Sequence, residues 1–170
     1  MKNNFFNRRR FLKETATAAT GMAILSSLPQ QIRANPSIEP RIKFSVIGIN
    51  HGHIYGMVDS VTRGGGQLVA FYAKEPDLAA AFAKRYPTAK LAANQQEILE
   101  DNSIQLILSA GIPVERAPLG VEVMKHGKDY LVDKPGITSL AQLKAVRAVQ
   151  QSTKRIYSIM YSERHENRAT

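Results

Sequence analysis

One pattern constrains this chain more than any other. Between Lys43 and Met160, apolar strand-like runs alternate with segments of helical periodicity, and the connections are short. Lys43-Phe44-Ser45-Val46-Ile47-Gly48-Ile49 reads as a buried first strand. Ile54, Met57, Val58 and Val61 then form one apolar helical face, ended by Gly64-Gly65-Gly66. Gln67–Tyr72 reads as the second strand. Pro76 opens a helix with Leu78, Ala81, Phe82 and Tyr86 on its inner face. A short strand near Lys90-Leu91 precedes a helix around Ile98-Leu99, for which Asn94 is the N-cap and Glu97 completes a capping box. Ile104–Ser109 is the next strand. A helix from about Val114 buries Ala117, Val121 and Met124 and closes at Lys125-His126-Gly127. Tyr130–Val132 is a strand, Leu140, Leu143, Val146 and Val149 mark a helix, and Ile156–Met160 is the last strand. A helix between every two strands returns the chain across the sheet, so neighbouring strands run parallel. The expected fold class is α/β, a doubly wound parallel sheet.

Ligands of such sheets bind outside the carboxyl ends of the strands, where the strand order reverses. Four turns fall there: Gly48–His53, Tyr72–Glu75, Ser109–Pro113 and Asp133–Gly136. A first turn reading G-x-G-x-x-G brings backbone close to a pyrophosphate at a helix N-terminus. The same positions here read Gly48-Ile49-Asn50-His51-Gly52-His53, and only the first glycine keeps its place. Asn50 tolerates positive φ better than most residues. Gly52 is expected to supply some of the missing freedom, and His53 to stand further from the neighbouring strand. His51 and His53 resemble half of a metal site, but no third ligand lies nearby in sequence. The expectation is therefore no metal, and polar contacts to phosphate or nicotinamide, or exposure to solvent.

The second strand of a dinucleotide-binding sheet ends in an acid that holds the ribose hydroxyls. Ala73 occupies that position, followed by Lys74 and Glu75. A carboxylate would repel a 2′-phosphate, whereas alanine followed by lysine accepts one. The cofactor is thus NAD or NADP, with a lean towards NADP that Glu75 keeps slight. Ala110 and Gly111 end the fourth strand and are candidate cofactor neighbours. Asp133-Lys134-Pro135 follows the fifth strand. A lysine just past a strand's carboxyl end can touch both nicotinamide and a substrate hydroxyl, and Pro135 keeps Lys134 out of helical geometry. Lys134 is the candidate catalytic residue.

The formal charge of +9 raises the question of a nucleic-acid partner, and its distribution answers it. The first 34 residues carry six of the 23 basic residues and one of the 14 acidic ones, leaving 17 basic against 13 acidic beyond them. Those 17 are scattered without aromatic interleaving, as solvated faces are, so no nucleic-acid partner is expected. Residues 1–34 have the anatomy of an export signal: a basic stretch to Lys13, an apolar run from Thr15 to Leu28, and Ala34 before a cleavage point. That run is too short to span a membrane. Arg8-Arg9-Arg10-Phe11-Leu12-Lys13 looks like the twin-arginine consensus, which implies the twin-arginine export machinery and a periplasmic or otherwise exported location. Residues 35–40, with Pro36 and Pro40, read as a linker into a domain at 41–161. The chain has no cysteine, which leaves no disulfide or thiolate metal site.

The variant glycine turn, six alternating strands and Asp-Lys-Pro after the fifth together resemble the Gfo/Idh/MocA (glucose-fructose oxidoreductase) family, over Ile42 to about Tyr161. The resemblance implies a Rossmann-type dinucleotide-binding domain. It also implies that Lys134 assists proton transfer between substrate and nicotinamide. Asp133 stands where members typically have glutamate, and Arg116 stands near the position of a family histidine, which removes that contact. Family members carry a second, mostly antiparallel domain that supplies further catalytic groups and commonly the oligomer interface. Residues 162–170 are expected to begin a truncated form of it, and the full-length parent is expected to be a homo-oligomer. The implied function is NAD(P)-dependent oxidation or reduction of a small-molecule substrate, a sugar, polyol or related hydroxy compound. An NAD-dependent glycosidase and a non-catalytic nucleotide-binding module stay open beside it.

Overall fold

The computed structural model describes residues 39–161 of the 170-residue chain. The expected export signal, most of the linker and segment 162–170 lie outside the described residues. The elements follow the expected alternation. They are β1 (Ile42–Ile47), α1 (His53–Arg63), β2 (Gly66–Tyr72), α2 (Pro76–Arg85), β3 (Lys90–Leu91), α3 (Gln95–Glu100), β4 (Leu106–Ser109), α4 (Pro113–Lys125), β5 (Asp129–Asp133), α5 (Leu140–Thr153) and β6 (Tyr157–Met160). The six strands form one parallel sheet in the order β3-β2-β1-β4-β5-β6. The order reverses between β1 and β4, which places a ligand crevice at their carboxyl ends.

Alternation along the strands sends successive side chains to opposite faces. Phe44, Val46, Phe71 and Leu108 pack with Ile54, Met57, Val58 and Phe82 of α1 and α2 on one side. Ile47, Ala70, Ile107, Tyr130 and Val132 pack with Ile98, Leu99 and Val123 on the other. Ser45 is fully buried in this apolar setting, and the sheet explains it. The β1–β2 register shifts between Phe44 and Val46, leaving Ala70 N–H without a ladder partner, and Ser45 Oγ accepts it at 3.2 Å. Pro118 lies inside α4 and cannot donate to Val114 O. Gln142 Nε2 on α5 donates to that carbonyl at 3.0 Å, tying the two helices together.

Three expected core positions differ. On α2 it is Ala79 and Phe82 that are buried, while Ala81, a step of about 100° away from Phe82, faces out. On α4 the buried face is Arg116, Ala117, Gly120, Val123 and Met124, and Val121 is only partly covered. Gly120 allows this face to approach the sheet, since a Cβ there would stand 2.4 Å from Tyr157 and 2.6 Å from Tyr130. On α5 only Val146 is fully buried, against Ala117 and Met124. Leu140, in the first turn, is 83% exposed because it lies off that contact.

Candidate functional site

Backbone hydrogen bonds join the turns after β1, β2 and β4. Gly48 N donates to Tyr72 O, Ala110 N to Gly48 O, and His51 N to Ala110 O, each at 3.0 Å. Gly48 has φ +80°, and a Cβ on it would stand 3.1 Å from Gly111 Cα and 3.3 Å from Ser109 Oγ. Glycine is required there for both conformation and space. Gly52 differs from the expectation. It is the N-cap of α1 at φ −61°, with nothing within 4 Å of a notional Cβ, so it supplies no conformational freedom that another residue would lack.

A cleft of about 250 Å³ opens over these turns. Of the residues expected to meet a cofactor, Gly48, Asn50, Ala73, Lys74 and Gly111 line it. Ile49 and Ala110 instead turn their side chains into the core. Ala73 follows β2 directly, as the sequence indicates. Lys74 Nζ lies 3.3 Å from both carboxylate oxygens of Glu115, and Asn50 Nδ2 donates to Glu75 Oε1 at 2.8 Å. Lys74 and Glu115 are 63% and 52% exposed, so water screens their pair.

His51, Gly52, His53, Asp133, Lys134 and Pro135 lie outside this cleft, and three of them gather around the carboxylate of Asp133. Asp133 ends β5 with only 2% of its side chain exposed. Its Oδ2 lies 3.0 Å from His51 Nδ1 and its Oδ1 3.0 Å from His53 Nδ1, with the two imidazole rings edge-to-face at 4.3 Å. Lys134 N donates to Oδ1 at 2.8 Å, and Arg116 Nη2 to Oδ2 at 3.3 Å. Burial pushes the Asp133 carboxyl up. The His53 bond, the Arg116 and His53 charges and the Lys134 N–H together outweigh that and hold it below the ordinary carboxylate value. The third group absent near the histidines in sequence is thus supplied from 80 residues away. Lys134 itself is exposed, and the peptide joining it to Pro135 is cis.

Arg116 is the residue the sequence reading missed. It is 3% exposed. Nε donates to Gly111 O at 2.7 Å, and Nη1 to Lys134 O at 2.7 Å and Asp133 O at 3.1 Å. One guanidinium therefore fixes the turn after β4 to the turn after β5. The available signal was its spacing, four residues before Gly120 and seven before Val123, on the inner face of α4.

Comparison with known proteins agrees with this arrangement. Residues 42–161 match the family model GFO_IDH_MocA, described as an oxidoreductase family with an NAD-binding Rossmann fold. An oxidoreductase candidate from Erwinia carotovora atroseptica has a similar structure, with TM-score 0.71 and 34% identity over 72% of this chain and 37% of its own. Biliverdin reductase from Synechocystis sp., solved with biliverdin and NADP+, superposes with TM-score 0.63 at 19% identity over 72% of this chain and 38% of its own. Myo-inositol 2-dehydrogenase from Lactobacillus plantarum gives TM-score 0.66 at 15% identity over 76% and 38%. The last two likenesses show the fold alone. The chain thus spans under two fifths of the length of these relatives. Among curated protein sequences none matches significantly. On the family model and the Rossmann topology together, the chain belongs to the Gfo/Idh/MocA oxidoreductase family, of which residues 42–161 form the NAD-binding domain.

Proposed function

We propose that this chain supplies the cofactor-binding domain of an NAD(P)-dependent oxidoreductase acting on a sugar, polyol or related small hydroxy compound. The observation that carries the reading is the Gly48 turn, held in backbone contact with Gly111 beneath an open cleft, with Lys134 anchored two strands away on the same edge of the sheet. A side chain at position 48 would press on Gly111 and Ser109 and displace the turn that lines the cleft, so glycine there keeps the backbone open to a dinucleotide. When bound, the nicotinamide accepts or donates the hydride. Gly48 and Asn50 then border the phosphates, and Ala73 and Lys74 border the adenosine ribose. Lys134 holds or moves the substrate hydroxyl proton. Its backbone is fixed by Arg116 and Asp133, while its side chain is exposed at the strand end where a substrate would lie.

Lys134→Ala in the full-length protein is expected to keep cofactor binding and lose at least about 100-fold in turnover with a sugar or polyol. Unchanged turnover would remove Lys134 from the reaction. Absence of any dehydrogenase activity, with glycoside hydrolysis that consumes no cofactor, would favour the glycosidase alternative.

For cofactor choice, Ala73 and Lys74 support NADP, since the residue directly after β2 is not an acid and a cation follows it. The Asn50–Glu75 hydrogen bond favours NAD instead, because it holds a carboxylate at the mouth of the same cleft. Parallel titration with the two reduced cofactors separates them, and tenfold tighter NADH binding would end the NADP reading. The arginine string at Arg8–Arg10 supports export by the twin-arginine route. A reporter fused to residues 1–40 is expected to reach the periplasm only while that string is intact. A second domain and homo-oligomerisation are part of the proposal for the full-length protein.

A further inference from the structure

We propose that His51, His53 and Asp133 form a binding site for one late first-row divalent transition-metal ion, Zn2+ or a close analogue. The inference is independent of the nucleotide reading, since these residues lie outside the Gly48 cleft. Three features carry it. First, the donors are two imidazoles and one carboxylate, a set that selects borderline transition ions. Second, each imidazole Nδ1 stands 3.0 Å from its own oxygen of Asp133, and one donor atom from each residue lies within 4.8 Å of the others. Two ligands at about 2.1 Å from a tetrahedral ion stand about 3.4 Å apart, so little movement from 3.0 Å is needed for one ion to enter between the imidazoles and the carboxylate. Third, Asp133 is positioned from behind. An ionised carboxylate offers about four lone-pair positions, of which Arg116 and Lys134 N occupy two and orient the group, leaving two towards the histidines.

The site is accessible, with the side chains of His51 and His53 48% and 42% exposed. A cleft of about 350 Å³ is lined by His53 and Asp133 together with Gly52, Gly56 and Arg63. Three protein ligands leave further coordination positions for water or an oxygen-bearing small molecule. The Arg116 charge opposes ions bound by charge alone, so Mg2+ and Ca2+ should be excluded. Imidazole-bound ions tolerate it better, because nitrogen coordination contributes most of their affinity.

The test uses the full chain stripped of metal, titrated with Zn2+ by calorimetry and with Co2+ by its visible absorption. The expected result is one ion per chain, bound through nitrogen and oxygen donors, with no response to Mg2+ or Ca2+. His51→Ala and His53→Ala change exposed side chains and should each weaken binding by more than about tenfold, with far-ultraviolet circular dichroism unchanged. His126→Ala, on the surface at the end of α4, should leave it unchanged. No binding of either ion by the folded wild-type chain would overturn the proposal and leave the histidines as simple polar neighbours of Asp133. Binding that survives His51→Ala and His53→Ala together would also overturn it, by placing the ion elsewhere.

Discussion

Two corners of one sheet edge use charge in opposite ways. At the β1–β2–β4 corner Gly48, Ala73 and Gly111 lie among larger side chains lining the cleft, and the Lys74–Glu115 ion pair there is more than half exposed. At the β4–β5 corner, Asp133 and Arg116 are almost wholly buried, and between them they fix the loop that carries Lys134. A screened pair can be rearranged by an incoming ligand at little cost. A buried charge without its partner costs several kcal/mol. The first corner is therefore suited to select among ligands, and the second to hold geometry.

The largest effect should come from breaking the buried corner. Arg116→Met removes the buried cation beside the Asp133 carboxylate and the donor to four backbone carbonyls, and a loss of about 3–5 kcal/mol is expected by chemical denaturation. A loss under about 1 kcal/mol would mean that the imidazoles alone satisfy Asp133. Next comes the glycine turn. Gly48→Ala is expected to cost about 1–2 kcal/mol from positive φ, whereas Gly52→Ala should change stability by less than about 0.5 kcal/mol. Equal effects would contradict the conformations given to the two residues.

At the exposed corner, Glu115→Gln should alter stability by less than about 0.5 kcal/mol. It frees Lys74, so it should tighten NADPH binding relative to NADH, a ratio read by parallel fluorescence titrations. The smallest effect is a pH dependence in another exposed network. The Tyr86 hydroxyl, with Arg85, holds the Asp59 carboxyl below its ordinary 3.8 against an opposing push from burial. The folded state binds the proton less readily than the unfolded chain, so this contribution is present above pH 3.8 and is lost as pH falls through the lowered value. Asp59→Asn should remove that part of the acid sensitivity, a fraction of a kcal/mol at so exposed a site.

The sheet was readable because its signals are local. Strand runs bounded by Gly and Pro, the Asn94 cap and the face of α1 each need only a few neighbouring residues. The corners were less readable, because their chemistry joins distant segments. His51 and His53 resemble an incomplete pair until β5 brings Asp133 beside them. Arg116 looks like a surface charge until Gly120 and Val123 show that its side of α4 faces the sheet. Leu140 shows the converse, since a helical apolar period does not reveal where contact with a neighbouring element ends.

The central claim is that the Gly48 cleft holds a nicotinamide dinucleotide. Titrating the purified chain with NADH and NADPH by nicotinamide fluorescence tests it most directly, beside Gly48→Val as a variant whose side chain would press on Gly111 and Ser109 and displace the turn that lines the cleft. The account predicts saturable binding of at least one cofactor by the wild-type chain and loss of that binding in a variant that still shows the wild-type circular dichroism. A folded wild-type chain that binds neither cofactor, or a folded Gly48→Val chain that binds as well as wild type, would contradict it.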